Sequence, residues 1–215
     1  MILKRYFVVI LLIIIGFATY AVFLTSSNVS IVTSKNFGTI TTSLGSPFLG
    51  SPVAPITLIE FGNYQCMECQ KWFQETRPYI IANYVEQGKL NMIFIDTQLT
   101  KNTPFASFAS YCANDQKQYW NYHDVLFRDF AEDKFDVDRL KQYAIDLNLD
   151  SKSFEECLDS KKYEKKVKYS TYEAKKNGIN KIPTFIMIDS DGNYEKIVGL
   201  QSLSIFEEKI NLLQN

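Results

Sequence analysis

The feature that most constrains this chain is a pair of cysteines two residues apart, Cys66 and Cys69, placed between a strand pattern and a helix pattern. Ile56–Phe61 is a nearly continuous apolar run of the kind found in a sheet covered on both faces. After the cysteines, apolar residues recur at helical spacing as far as Val85. Two thiols at a helix start can close a small disulfide ring and open it again, so this stretch predicts redox chemistry.

Cys66 is expected to be the attacking sulfur of the pair. At a helix start the backbone N–H groups point outward and the helix dipole is positive, which stabilises a thiolate and lowers a cysteine pKa from about 8.5 to roughly 3.5–7.5. Cys69, one turn in and on the buried side, would then resolve a mixed disulfide with a client protein. An inert disulfide and half of a zinc site are the alternatives. Zinc needs more ligands than the chain's one histidine, His123, and these spacings supply.

The first residues predict export. Lys4 and Arg5 precede an apolar run, Tyr6–Leu24, of about the length that crosses a bilayer as a helix. Basic residues on that side predict a cytoplasmic N-terminus and an extracytoplasmic remainder. Residues 1–24 are therefore predicted to be a transmembrane anchor, with a cleaved signal peptide and a secreted domain as the alternative.

The remaining chain divides into three further parts. Residues 25–50 are rich in Ser, Thr, Gly and Pro and predict a tether, with a weak strand pattern at Thr39–Thr42. Residues 51–100 are predicted to form a strand, a helix and a second strand. Residues 179–215 are predicted to form two strands joined by a hairpin and followed by a helix. Residues 101–178 carry only helical patterns and are predicted to be an insertion.

Several helix boundaries can be predicted from single residues. Pro78 should kink the helix that follows the cysteines. Thr103-Pro104 is typical of a cap followed by proline at the first helical position. Ser153–Glu156 fits a capping box, and Ser202 or Ser204 is expected to cap the last helix.

Three motifs together resemble a known family. Glu-Phe-x-x-x-x-Cys-x-x-Cys at Glu60–Cys69, a helical insertion, and Ile-Pro-Thr-Phe at Ile182–Phe185 resemble the thioredoxin-fold thiol–disulfide oxidoreductases of the DsbA-like group. The resemblance covers about Ala54–Leu213, and the stretches Phe108–Phe127 and Phe154–Leu158 resemble the insertion of the Gram-positive and archaeal branch. It implies an α/β thioredoxin fold with a central mixed sheet and an all-helical insertion.

The resemblance also implies roles for three residues. Pro183 would be the family's cis-proline facing the redox pair, and Ile182 the residue whose backbone contacts the substrate. From the sequence alone, Pro183 could equally begin an edge strand. Glu60 corresponds to a buried acidic residue beneath the pair, where burial should raise its pKa and let it accept a proton from Cys69. A solvated glutamate at a strand edge is the alternative for Glu60.

The residues between the cysteines, Met67 and Glu68, depart from the Pro-His of strongly oxidising members. An acidic residue there should oppose the Cys66 thiolate and make the pair less oxidising. Known pairs of this fold span about −120 to −270 mV. We expect this pair to lie below the oxidising extreme.

Cys112 and Cys157 fall in the predicted insertion. They are interpreted as a structural disulfide joining two helices; a second redox pair and two separate buried thiols are the alternatives. His123 lies among aromatic residues on a predicted helix, where a lone histidine is expected to be structural.

The sequence as a whole predicts an exported thiol–disulfide oxidoreductase that needs no cofactor and no metal. Its expected partners are cysteine-containing exported proteins, a membrane or thioredoxin-type redox protein, and the membrane through the N-terminal helix. A net charge of −1 gives no reason to expect nucleic acid as a partner. The alternatives are a client-specific reductase in cytochrome maturation and a non-catalytic peptide-binding module or holdase.

Overall fold

The computed structural model describes residues 31–34, 38–99, 104–130 and 135–214. The predicted anchor, residues 1–24, lies outside this range. Within the described residues, no helix combines the length and the apolarity needed to cross a bilayer.

The centre of the fold is a four-stranded mixed sheet. Its strands are β3 (Ile56–Gly62), β4 (Leu90–Asp96), β5 (Thr184–Asp189) and β6 (Tyr194–Val198), in the order β4-β3-β5-β6. β3 pairs parallel with β4 and antiparallel with β5, and β6 runs antiparallel beside β5. Two short strands, β1 (Ile31–Ser34) and β2 (Gly38–Thr41), form a separate hairpin. The mixed sheet is the one that the resemblance implies, and β2 is the strand weakly indicated at Thr39–Thr42.

Eight α-helices are described. They are α1 (Met67–Glu75), α2 (Arg77–Ile80), α3 (Phe105–Asn114), α4 (Tyr119–Arg128), α5 (Val137–Asp146), α6 (Ser151–Asp159), α7 (Glu164–Lys176) and α8 (Leu203–Gln214). A 3₁₀ turn covers Thr42–Leu44, and a π-helical turn, Ile81–Val85, continues α2. Helices α3 to α7 lie between β4 and β5 in the chain, so the predicted order of βαβ, helices and ββα is observed.

Some predicted helix boundaries were wrong. The break after the cysteines lies at Thr76, and Pro78 falls in the first turn of α2, where its missing N–H costs no hydrogen bond. α3 begins at Phe105 with Pro104 in the cap position, one residue later than predicted. The cap of α6 is Asp150, whose carboxylate accepts from the Ser153 N–H at 2.8 Å, so Ser153 is inside the helix.

The terminal helix also begins differently from the prediction. The Ser202 and Ser204 hydroxyls are hydrogen bonded to each other at 2.8 Å, and the Ser202 backbone carbonyl accepts from the Ile205 N–H at 3.1 Å. This carbonyl makes the first turn of α8.

Part of the predicted tether belongs to the packed domain. Leu49 exchanges two backbone hydrogen bonds with Met92, and the Ser46 N–H donates to the Phe94 carbonyl at 2.9 Å. This segment therefore runs along the free edge of β4, and the packed domain begins before residue 51.

Three buried clusters surround the sheet. One face packs Leu58 against Trp72 of α1 and Phe206 of α8, and the other face packs Ile59 and Phe61 against the end of α7. The third and largest cluster lies within the helical insertion and extends to Cys69 and Phe73 of α1. The redox helix thus packs on both the sheet and the insertion.

Candidate active site

Cys66 and Cys69 lie at the start of α1. Cys66 is the N-cap residue, and its Sγ accepts a hydrogen bond from the Cys69 N–H at 3.2 Å. The two residues are joined by a disulfide with their Cα atoms 5.2 Å apart. Cys66 is half-buried, whereas Cys69 is completely buried. A client sulfur can therefore approach Cys66 but not Cys69.

A tight turn presents Cys66 at the end of β3. The Cys66 N–H donates to the Asn63 carbonyl at 3.1 Å, and the Gln65 N–H donates to Asn63 Oδ1 at 2.8 Å. Asn63 is itself buried. One side chain therefore organises the turn on which the reactive sulfur lies.

The segment before β5 contacts the same region. The Ile182–Pro183 peptide bond is cis, as the resemblance implies. Pro183 is buried, and Ile182 is half-buried against the same apolar cluster as Cys66. The Pro183 carbonyl accepts from the Gly199 N–H at 2.7 Å, which fixes this segment to the end of β6.

Glu60 is a buried carboxyl in the middle of β3. Side chains alternate along a strand, so Glu60 shares its face with Ile56 and Leu58, which pack in one cluster with Trp72 of α1. Burial raises the pKa of Glu60 to about 8, a rise that the positive charge of Arg77 partly offsets. Its Oε1 has no hydrogen-bond partner among the described residues. Glu60 can therefore hold a proton at neutral pH beneath the redox helix.

Glu68 contacts the segment that contains the cis-proline and the end of β6. Its Oε2 accepts from the Leu200 N–H at 3.3 Å and lies 3.5 Å from Lys181 Nζ. Lys181 directly precedes the Ile182–Pro183 pair. The neighbouring Met67 side chain is 49% exposed and offers an apolar surface beside the reactive sulfur.

Cys112 and Cys157 are joined by a second disulfide. It connects α3 to α6, with the Cα atoms 5.8 Å apart. Both sulfurs belong to the core of the insertion. The pairing contradicts the interpretation of two separate thiols and is compatible with both a structural disulfide and a second redox pair.

Asp96 is a buried polar group near the turn that local sequence patterns do not indicate. Asp96, at the end of β4, lies opposite Gly62 in the register and is 1% exposed. Burial raises its pKa to about 7, although donors from Ser107, Gln98 and Asn63 lower it again. From the sequence, an aspartate directly after an apolar run would be predicted to be a solvated loop residue. Its carboxyl is buried because helices of the insertion cover it.

A second buried polar group near the turn is His123 on α4. Its Nδ1 lies 3.1 Å from the Tyr64 hydroxyl, which is also 3.2 Å from the Tyr119 hydroxyl. Burial holds the pKa of His123 well below its usual value, and the charge of Arg77 lowers it further. The histidine is therefore neutral. Its hydrogen-bond partner, Tyr64, lies two positions before Cys66 in the chain.

Comparisons with known proteins agree with this geometry. A family model described as thioredoxin matches residues 42–202. Disulfide bond formation protein D of Bacillus subtilis (strain 168) is 30% identical over 86 residues, which are 39% of this chain and 39% of that protein. The matched stretch is thus about two fifths of the relative's length.

Two solved structures are similar to most of the chain. Alpha-DsbA1 of Wolbachia pipientis is 27% identical, with a TM-score of 0.66 over 77% of this chain and 89% of that one. Oxidised BdbD of Bacillus subtilis shares the fold at 21% identity, with a TM-score of 0.71 over 86% of this chain and 100% of that one. Because the family model covers most of the chain and the redox turn, cis-proline and helical insertion are all present, the chain belongs to the thioredoxin family and is a DsbA-like member of it.

Proposed function

We propose that this protein is a thiol–disulfide oxidoreductase that introduces disulfides into extracytoplasmic proteins through the Cys66–Cys69 pair. The observation that carries the proposal is the asymmetry of the two sulfurs. Cys66 caps a helix and is reachable, while Cys69 is buried one turn further on. The direction, disulfide formation, is supported by the name of the Bacillus subtilis relative.

The first step would be attack by a client thiolate on Cys66 Sγ. A bond forms between the client sulfur and Cys66, the Cys66–Cys69 bond breaks, and Cys69 leaves with the electron pair. The Cys69 thiolate is buried and needs a proton. Glu60, still protonated at pH 7 because its pKa is about 8, is proposed to supply it.

In the second step a second client thiolate attacks the client sulfur of the mixed disulfide. The client disulfide forms, and Cys66 leaves as a thiolate that the helix start and the Cys69 N–H stabilise. Two electrons have then passed from the client to the pair. In the reverse direction Glu60 accepts the proton of Cys69, so the same carboxyl serves both directions.

The cis-proline segment is proposed to hold the client. Ile182 packs against the same cluster as Cys66, so an extended peptide bound along its backbone would bring a cysteine to the reachable sulfur. Met67 adds an exposed apolar contact there. The clients are proposed to be cysteine-containing exported proteins.

Each turnover leaves the pair reduced, so a redox partner must take the two electrons. We propose a quinone-linked membrane protein or a thioredoxin-type protein for this role. The anchor predicted at residues 1–24 would keep the domain on the extracytoplasmic side, near a membrane partner.

The proposal is tested by incubating the oxidised full-length protein with reduced, unfolded ribonuclease A and following the formation of native disulfides. The wild type should oxidise the client stoichiometrically, and Cys66→Ser should abolish this. Cys69→Ser, first converted to its Cys66–glutathione disulfide, should release glutathione on attack by a client thiolate and accumulate a mixed disulfide between Cys66 and the client, visible by non-reducing electrophoresis.

Two results would count against the proposal. If Cys66→Ser suppressed client aggregation as well as the wild type and neither protein formed disulfides, the holdase alternative would be right. If the reduced protein instead opened native disulfides under the same conditions and the oxidised protein formed none, the physiological direction would be reduction.

A further inference from the structure

We propose that Asp96 is a positioning residue for the redox pair and acts through Asn63 on the turn that carries Cys66. The inference rests on the proposed function, because it concerns how the same pair is held. Asp96 belongs to β4 and lies outside the motif that contains the cysteines.

The Asp96 carboxylate joins the insertion to the redox turn. Its Oδ2 accepts from the Ser107 hydroxyl of α3 at 2.6 Å, and its Oδ1 accepts from Gln98 Nε2 at 2.6 Å. Asn63 follows Gly62, the residue that pairs with Asp96, and its side chain lies near enough to the carboxyl to lower the Asp96 pKa. A carboxylate can accept several hydrogen bonds because it carries two oxygens and no hydrogen.

Asn63 is the residue that connects Asp96 to the turn containing Cys66. Its Oδ1 accepts from the Gln65 N–H at 2.8 Å, and its backbone carbonyl accepts from the Cys66 N–H at 3.1 Å. A second backbone bond, from the Thr97 N–H to the Gly62 carbonyl at 2.8 Å, holds the two strand ends together. The position of Cys66 as helix cap therefore depends on a carboxylate of the neighbouring strand.

The restraint matters more for the reduced protein than for the oxidised one. In the oxidised protein the covalent bond to Cys69 already fixes Cys66. In the reduced protein only the turn keeps Cys66 Sγ where the Cys69 N–H can stabilise its thiolate. Loss of the Asp96–Asn63 contact should therefore destabilise the reduced form selectively and make the pair less oxidising. A change that weakened both forms equally would leave the reduction potential unchanged.

The test is the equilibrium of the full-length protein with reduced and oxidised glutathione at pH 8, where Asp96, with a pKa of about 7, is mostly ionised. Asn63→Ala should lower the oxidising power of the pair about tenfold, which corresponds to about 30 mV. Asp96→Asn should act in the same direction and to a similar extent, because its amide presents N–H donors where the neighbours also donate. The double variant should resemble Asn63→Ala alone, since both changes break one contact.

Several results would overturn the inference. If Asp96 acted only through its charge, Asp96→Asn would make the pair more oxidising and would do so equally when Asn63 is alanine. Additive effects of the two substitutions, or no effect of either, would also refute it. If the wild-type pair did not exchange with glutathione at all, the proposed function would fail instead, so the two failures can be told apart.

Asn91→Ala is the matched control. Asn91 is also a buried asparagine, with its Nδ2 donating to the Ser51 carbonyl at 2.9 Å, but it lies at the opposite end of β4. Its loss should reduce stability and leave the glutathione equilibrium unchanged. Should Asn63→Ala fail to fold, Asn63→Asp replaces it, because a carboxylate cannot donate to Asp96 and should lower the oxidising power at least as far.

Discussion

At the scale of single residues, the chemistry depends on where protons are held. Glu60 is buried with its pKa raised to about 8, so it can hold or release a proton near neutral pH, and Cys69 is its proposed partner. Glutamine keeps the shape of this side chain but cannot titrate. The substitution therefore separates proton transfer from packing.

We predict that Glu60→Gln slows the step in which Cys69 resolves a mixed disulfide. A positioned base typically accelerates such a step by about 10² or more. In the wild type the rate should rise as pH increases through about 8, because Glu60 then loses its proton and can accept that of Cys69. In the variant this rise should be missing. The measurement is single-turnover resolution of a Cys66–glutathione mixed disulfide from pH 6 to 9.

Glu75→Gln serves as the control for this experiment, since Glu75 is an exposed glutamate of the same helix α1. It should keep the wild-type profile. A Glu60→Gln variant as fast as the wild type at every pH would exclude the proton-relay role.

We expect Glu68 to affect the redox potential of the pair less than the sequence suggests. Its carboxylate is bound by the Leu200 N–H and by Lys181, so part of its charge is compensated before it reaches Cys66. The side chains of Lys181 and Glu68 are 56% and 45% exposed, and exposed ion pairs have small energies.

We predict that Glu68→Gln makes the pair more oxidising by less than about fivefold in the glutathione equilibrium. Lys181→Met should shift the equilibrium in the opposite direction. Both shifts should shrink in about 1 M salt, where the screening length is about 3 Å. A tenfold or larger effect of Glu68→Gln that persists in high salt would show that Glu68 acts directly on the Cys66 thiolate.

These residues also show how far a sequence can be interpreted. Cys66 and Cys69 lie within one strand–turn–helix unit, so local patterns were enough to place them. The burial of Glu60 in the same unit was expected from the family resemblance. The partners of Glu68 are Lys181 and Leu200, more than a hundred positions later in the chain. Contacts of that kind depend on the packed sheet and leave no local pattern.

At the scale of elements, strand and helix order was predictable because apolar periodicity decides it. The first residues of the helices were less predictable, because the N-cap is whichever of several adjacent polar residues adopts the extended backbone conformation. At α6 the cap is Asp150, although Ser153 has the more recognisable pattern. The burial of Asp96 likewise depends on α3 and α7, whose Ser107 and Ser170 hydroxyls bind its carboxylate and its backbone carbonyl.

The disulfide between α3 and α6 is an element-scale restraint. It closes a loop with a sequence separation of 45 residues, for which chain entropy predicts about 4 kcal/mol of stabilisation. We predict that replacing both Cys112 and Cys157 by alanine lowers the free energy of unfolding by about that amount. Urea unfolding of the protein with its Cys66–Cys69 pair oxidised measures it.

The alternative role of this disulfide, a relay for electrons, has its own test. During turnover with reduced ribonuclease A, Cys112 and Cys157 should remain inaccessible to alkylation while Cys66 becomes labelled. Mass spectrometry without prior reduction distinguishes the two cases. Labelling of Cys112 or Cys157 in step with client oxidation would establish a relay.

At the scale of the whole molecule, the buried titratable groups make stability depend on pH. The pKa of Glu60 is about 8 in the folded protein and about 4.5 in the unfolded chain. The pKa of Asp96 is about 7 in the folded protein and about 3.8 in the unfolded chain. For both, the native state binds more protons than the unfolded state within these windows, so stability falls as pH rises. His123 acts in the opposite sense but only below 6.5, where the unfolded chain binds a proton that the native state does not. Lys166, with a pKa lowered to about 8, acts above that pH.

Between pH 6.5 and 8 the two carboxyls therefore dominate. At about 1.4 kcal/mol per proton and pH unit, the wild type should lose on the order of 2 kcal/mol of unfolding free energy across this range. Glu60→Gln should remove most of that slope, and Asp96→Asn should flatten mainly the part below pH 7. Urea titrations at constant ionic strength, with both disulfides intact, measure the effect. Two results would contradict this prediction: an unfolding free energy that rises with pH in the wild type, or the same slope in Glu60→Gln as in the wild type. Either result would mean that Glu60 is already ionised in the folded protein and cannot donate the proton in the proposed redox cycle.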